Sequence, residues 1–148
     1  MIRKLQETAL WLILFLILLP SPAHSQPARI TAPAWWLQEV KMVSEYYGVN
    51  PNFALAVAET ESSCRGQQFR FGSMGKGTYF GPFGIHKCFR AKWDIADPYI
   101  NTVIGIRALA RYRDKRRTLR KYNAAFNEAY WRRVCYLERR NREAGVFK

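Results

Sequence analysis

Two glutamates stand two residues apart, Glu59 and Glu61, in the run V-N-P-N-F-A-L-A-V-A-E-T-E-S-S-C at 49–64. Asn50 followed by Pro51 pairs an N-cap with a first helical residue. Neither Pro nor Gly recurs before Gly66, so the spacing predicts a helix ending near Cys64. At 100° per residue Ala54, Val57, Ala58 and Glu61 share one face. Glu59 leaves the helix about 160° away from Glu61. The wheel therefore puts Glu61 where the helix meets the core or a cleft, and Glu59 away from it. A carboxyl among apolar neighbours is desolvated, which disfavours its charged form and raises its pKa. That is how a protein keeps a carboxylic acid protonated for general-acid work near neutral pH. A capped or ion-paired glutamate at a helix end is the other reading of the same residue.

The elements that must position this pair can be read along the chain. Residues 34–47 predict a first helix with Trp36, Leu37, Val40, Val43 and Tyr47 as its apolar stripe, and Gly48 as its stop. Only Val49 separates it from the cap of the next helix, so the two turn sharply against each other. Beyond Cys64, six of the nine glycines fall between 66 and 84, interleaved with Phe69, Phe71, Tyr79, Phe80 and Phe83. This predicts a long loop or a small β-hairpin beside the glutamate helix. Glycines there would let backbone approach a ligand closely. A phosphate-binding loop does not fit, because Gly75-Lys76-Gly77-Thr78 lacks the required order and follows a helix rather than a strand.

Residues 84–93 read as loop entering a short helix. Asp97-Pro98 repeats the cap-plus-proline signal and opens a helix to about Arg113, with Ile100, Val103, Ile104 and Ala108 facing inward. Gly105 inside it costs about 1 kcal/mol relative to Ala, which implies close packing. Residues 111–121 are strongly basic, and 119–126 read as another short helix. Asn127 caps a last one, with Tyr130, Val134 and Leu137 at i, i+4 and i+7. There are no repeats and no convincing strand pattern. The expected fold is mainly α, five or six helices with one Gly-rich excursion.

Residues 1–25 stand apart: Arg3 and Lys4 precede an apolar stretch at 9–19, Pro20 ends it, and Ala23-His24-Ser25 offers a cleavage site. This predicts a secretory signal peptide, mature protein beginning at Gln26, a single domain over 26–148, and export to the periplasm or cell envelope. The stretch is short for a membrane span, so no stable span is expected after cleavage; an uncleaved anchor is the alternative. The formal net charge is +13, a surface that attracts polyanions or acidic substrates. Cys64, Cys88 and Cys135 all follow the leader, at spacings that do not suit a zinc site. Export permits one disulfide. Cys64–Cys88 would fix the loop against the glutamate helix, and three free thiols are the alternative.

Four motifs in order resemble the lytic transglycosylases of the soluble lytic transglycosylase and goose-type lysozyme group, over roughly residues 46–134. Ala56-Val57-Ala58-Glu59-Thr60-Glu61-Ser62 is similar to the helix ending in that family's E-S. Gly84-Ile85-His86-Lys87 stands where the family has G-L-M-Q. Asp97-Pro98 with Asn101 and Gly105 is similar to its D-P…N…G helix, and Tyr122-Asn123-Ala124 to its Y-N-A. The departures are His86-Lys87 for M-Q, Ala125 for the glycine after Y-N-A, and a longer stretch between Ser73, the match to the family's serine, and Gly84.

The resemblance implies a lysozyme-like helical domain without metal or cofactor, acting on peptidoglycan glycan strands. Glu61 would protonate the glycosidic oxygen between N-acetylmuramic acid and N-acetylglucosamine. It would then take the proton of the muramyl 6-hydroxyl, giving a 1,6-anhydro end. Ser73, Tyr79, Ile85, His86, Lys87, Tyr122 and Asn123 would contact substrate or, in Tyr122's case, Glu61. An ordinary glycosidase needs two carboxylates flanking the bond, and Asp94 is the one easy candidate for a second acid, since Asp97 reads as a cap. A lysozyme-like hydrolase using Asp94 or a positioned water is thus one rival. A non-catalytic cationic protein gripping the anionic wall, lipopolysaccharide or nucleic acid through 111–121 and 132–142 is another, though a nucleic-acid partner is not expected. The resemblance leaves three uses open: remodelling the cell's own wall, opening it for a secretion or conjugation apparatus, or serving a prophage.

Overall fold

The computed structural model describes residues 32–62, 73–74, 79–111 and 113–148. The expected signal peptide and most of the Gly-rich loop lie outside these residues. No described helix is long and apolar enough to cross a membrane. Among the described residues the fold is mainly α: α1 (Ala34–Tyr47), α2 (Pro51–Glu61), α3 (Pro98–Leu109), α4 (Lys115–Tyr122) and α5 (Glu128–Glu143). Between α2 and α3 lie three short strands, β1 (Ser73–Met74), β2 (Tyr79–Phe80) and β3 (Ile85–His86), then a 3-10 turn at Lys87–Ala91.

Local chemistry fixes most helix starts. Asn50 Oδ1 accepts the N–H groups of Asn52 at 2.9 Å and Phe53 at 3.2 Å. Asp97 Oδ1 accepts from Ile100 and Asn127 Oδ1 from Tyr130, both at 2.9 Å. Each satisfies an N–H that the first turn leaves unpaired. The helix read at 119–126 instead begins at Lys115, capped by Asp114, whose Oδ1 accepts the Arg117 N–H at 2.6 Å. Cations in a first turn oppose the helix dipole. Lys115 and Arg116 are met there by Glu138 and Glu128 of α5, each pair at 2.5 Å. Two helices also end early: α2 at Glu61 rather than near Cys64, and α3 at Leu109 rather than near Arg113.

At the centre lies α2, packed against α1 and α5. Its residues from Phe53 through Glu59 are all buried. A helix apolar all round is one covered on every side, so the wheel's division into inner and outer faces fails here. Glu59, expected away from the core, is 6% exposed.

Helix α3 also departs from the expected pattern. Its buried face is Asn101, Thr102, Gly105, Ile106 and Leu109, not the expected stripe Ile100, Val103, Ile104 and Ala108. Polar side chains on the inner face mask the period: Trp36 Nε1 donates to Thr102 Oγ1 at 2.9 Å, joining α1 to α3. Asn101 is fully buried. Its amide donates to the carbonyls of Phe80 at 2.7 Å and Ile95 at 3.1 Å, and its Oδ1 accepts the Phe83 N–H at 3.1 Å. Close packing is indeed what Gly105 permits, since a Cβ there would lie 2.3 Å from Phe83 Cγ.

The strands form a small antiparallel sheet in the order β1-β2-β3. Ser73 pairs with Phe80 and Met74 with Tyr79; Tyr79 pairs with His86 and Phe80 with Ile85. The β2–β3 connection, Gly81-Pro82-Phe83-Gly84, is closed by the Gly84 N–H donating to Gly81 O at 3.0 Å. Held by Asn101 and notched into Gly105, this turn is pressed against the end of α2.

Candidate active site

Glu61 is the last residue of α2, partly buried at the meeting of α2, α5, the β2–β3 turn and the α4–α5 connection. Its Oε1 accepts two hydrogen bonds, from the Tyr130 phenol at 2.6 Å and from Asn123 Nδ2 at 3.1 Å. The amide of Asn123 is oriented by its own Oδ1, which accepts the Ala125 N–H at 2.8 Å. Its nitrogen therefore faces the carboxyl. Glu61 Oε2 has no hydrogen-bond partner among the described residues and lies against Gly84, where a Cβ would come within 3.2 Å of it. Gly84 also has φ +58°, a conformation that L side chains disfavour. Glycine thus serves both the bend and the close approach.

Burial raises the Glu61 pKa, and the Tyr130 and Asn123 donors pull it back down. No charged side chain enters that balance among the described residues. The phenols of Tyr122 and Tyr130 are pushed up by their own burial and by the Glu61 charge, so both stay protonated and can donate. With two donors on Oε1, a proton carried by Glu61 belongs on Oε2, the oxygen facing the turn.

Glu59 is built differently. Arg140 Nη2 meets its Oε2 at 2.5 Å and Asn141 Nδ2 donates to its Oε1 at 3.2 Å. Burial pushes its carboxyl up, while Arg140, Asn141 and Arg133 pull it down. Asp97 caps α3. Asp94 is exposed, and its Oδ1 accepts the Ala96 N–H at 3.3 Å in a local turn. Neither contributes to the Glu61 balance.

No family model, curated protein or solved structure matches the chain.

The residues singled out in the sequence fall into three groups. Glu61 and Asn123 touch directly. The Y-N-A motif would put Tyr122 at Glu61 or at substrate, but its hydroxyl donates to the Phe83 carbonyl at 2.6 Å. It thereby positions the turn that carries Gly84. The phenol on Glu61 belongs to Tyr130, which the spacing of α5 marks only as core. A buried tyrosine hydroxyl needs a partner, and that was the one available signal; sequence periodicity does not say where the partner lies.

On the sheet, Tyr79 is 46% exposed and packs edge-on against exposed His86, ring centroids 5.5 Å apart. His86 Nδ1 accepts the Cys88 N–H at 3.2 Å and so caps the 3-10 turn. Lys87 is exposed beside it. Ile85 is buried and its side chain belongs to the core rather than to a binding surface. Ser73 lies in β1, but its side chain is outside the description. Cys88 and Cys135 are free thiols, and Cys64 lies outside the described residues, so the Cys64–Cys88 bridge is not seen here.

Proposed function

We propose that the chain is a lytic transglycosylase of peptidoglycan, with a lysozyme-like helical domain and Glu61 as its one acid and base. The supporting observation is the environment of Glu61: a desolvated carboxyl held on one oxygen by two neutral donors, with no second carboxylate among the described residues acting on it. Two-carboxylate glycosidases need a partner across the scissile bond. Here Glu59 is consumed by Arg140, Asp97 by a cap and Asp94 by an exposed turn.

In this reading protonated Glu61 gives its Oε2 proton to the glycosidic oxygen as the bond to muramyl C1 breaks. The substrate's own N-acetyl group stands in for an enzymic nucleophile. The resulting carboxylate takes the proton of the muramyl 6-hydroxyl while that oxygen bonds to C1. The 1,6-anhydro ring closes, no water is added, and Glu61 ends protonated as it began. Tyr130 and Asn123 hold the carboxylate between the two transfers. The polar, exposed pair Tyr79 and His86 offers a ring and an imidazole to a glycan, and Lys87 a cation to its acidic peptide.

Mass analysis of purified peptidoglycan after incubation with the protein tests this. Anhydromuramyl ends are expected. Reducing ends would replace the reading by a lysozyme-like hydrolase, and intact glycan with salt-sensitive binding would replace it by a cationic wall-binding protein.

A further inference from the structure

Helix α3 buries one face in the core, and its other, more apolar face is only partly covered by the described residues. Behind the buried face that grips Phe83, the side chains of Ile100, Val103, Ile104 and Ala108 form the floor of an open groove of about 330 Å3. Phe89 and Trp93, each 47% exposed, make one wall. Arg107 and Arg111, one turn apart, stand at the rim, and neither takes part in an ion pair with a described carboxylate. An apolar stripe on a helix ordinarily faces a core or a partner. Exposed aromatics flanked by arginine are the composition of protein contact surfaces.

The charge decides among occupants. A second copy would bring a like surface, since the chain has 24 Lys and Arg against 11 Asp and Glu. The chain's own leader carries Arg3 and Lys4, the wrong sign for this rim. The groove follows α3 from Ile100 to Ala108, about two helical turns or ~12 Å, with Arg111 just beyond the helix end. That length suits a helix lying in it with apolar residues at i, i+3, i+4 and i+7. Carboxylates on such a helix would meet the two guanidinium groups.

We propose that this groove is a docking site for an acidic amphipathic helix of a partner protein. The proposal is independent of the reaction assigned to Glu61.

The probe is a fluorescent 16-residue peptide with leucines at the four anchor spacings and glutamates on its flanks, read by anisotropy against the full chain. A twin with lysines for glutamates is the control. The acidic peptide should bind saturably and the lysine twin about tenfold more weakly or worse. Ile104→Glu should weaken the acidic peptide by about tenfold or more. The pair Arg107→Glu with Arg111→Glu should reverse the preference between twins. The arginines lie on the exposed rim, so that variant decides the question even if circular dichroism shows Ile104→Glu unfolded. Equal binding of the twins by the wild-type chain, or no reversal in the arginine variant, overturns the proposal. Displacement of the peptide by equimolar sodium laurate would assign the groove to a small amphiphile and also overturn it. So would a concentration-dependent dimer that Ile104→Glu abolishes.

Discussion

Glu59 and Glu61 leave the same buried helix two residues apart, and α5 supplies donors to both, yet the two carboxyls are put to opposite ends. Glu59 meets the far end of α5, where a guanidinium and an amide compensate its charge. Glu61 meets the near end, where a phenol and the amide of Asn123 offer hydrogen bonds but no charge. Desolvation is the largest influence on both and raises both carboxyls above the ordinary value, and the neighbours of both pull back down; what differs is that one set of neighbours is charged and the other neutral. A cation locks a buried carboxylate into a structural ion pair, whereas neutral donors leave it able to change protonation state. Burial alone therefore does not mark a catalytic acid.

The largest effect is expected at Glu61. Glu61→Gln keeps the two donors on its Oε1 but cannot transfer a proton. Anhydromuropeptide release should fall by the ~10²–10⁴-fold typical of general acid–base catalysis, with the thermal midpoint little changed. Next comes Arg140→Met, which strands Glu59 in the core. Urea unfolding at neutral pH should show a loss of about 3–5 kcal/mol. The carboxyl is already held above its ordinary value by burial, and losing Arg140 raises it further, so the loss should grow as pH rises from the ordinary value to the raised one and shrink as pH falls back. Activity per folded molecule should survive, which is the sharpest separation of the two glutamates.

Gly84→Ala touches Glu61 and not Glu59. Its left-handed backbone costs a non-glycine residue about 1–2 kcal/mol. The new methyl would also crowd Oε2, so turnover should drop together with stability; equal activity per folded molecule would show that the approach to Oε2 does not matter. The smallest effect is expected from Tyr130→Phe. The phenol favours the carboxylate form, so its removal raises the Glu61 pKa further. In the proposed mechanism the protonated form starts the reaction, so the alkaline limb of the pH–rate profile should move to higher pH, by about one unit or less. The same change at Tyr122 should not move the limb, since that hydroxyl serves Phe83.

What was legible in the sequence was what neighbours along the chain decide. Asn50-Pro51, Asp97-Pro98 and Asn127 announce helix starts because a cap bonds N–H groups two or three residues on. Asp114 carried the same information for α4, but the surrounding cations obscured it until Glu128 and Glu138 were placed opposite. Side-chain destinations across the fold were not legible. In α3 the more apolar face is the outer one, and the inner one carries Asn101 and Thr102, whose partners include the sheet, the turn and Trp36. Nor could a wheel separate Glu59 from Glu61, since α2 is enclosed on all sides and the decisive groups, Arg140 and Tyr130, lie some 70 to 80 residues away. Tyr122 and Tyr130 are chemically alike, and only tertiary packing tells which one reaches the carboxyl.

The bond from the Phe83 amide to Asn101 has a consequence for hydrogen–deuterium exchange. That hydrogen sits in a glycine-flanked turn, a place where amides ordinarily exchange by local fluctuation. Here its acceptor is a fully buried side chain on α3, and the Phe83 ring fills the notch at Gly105. Releasing it requires α3 to withdraw from the turn. The Phe83 amide should accordingly exchange with the slow set of the helical interior, and the turn beside Glu61 should open only when the core does.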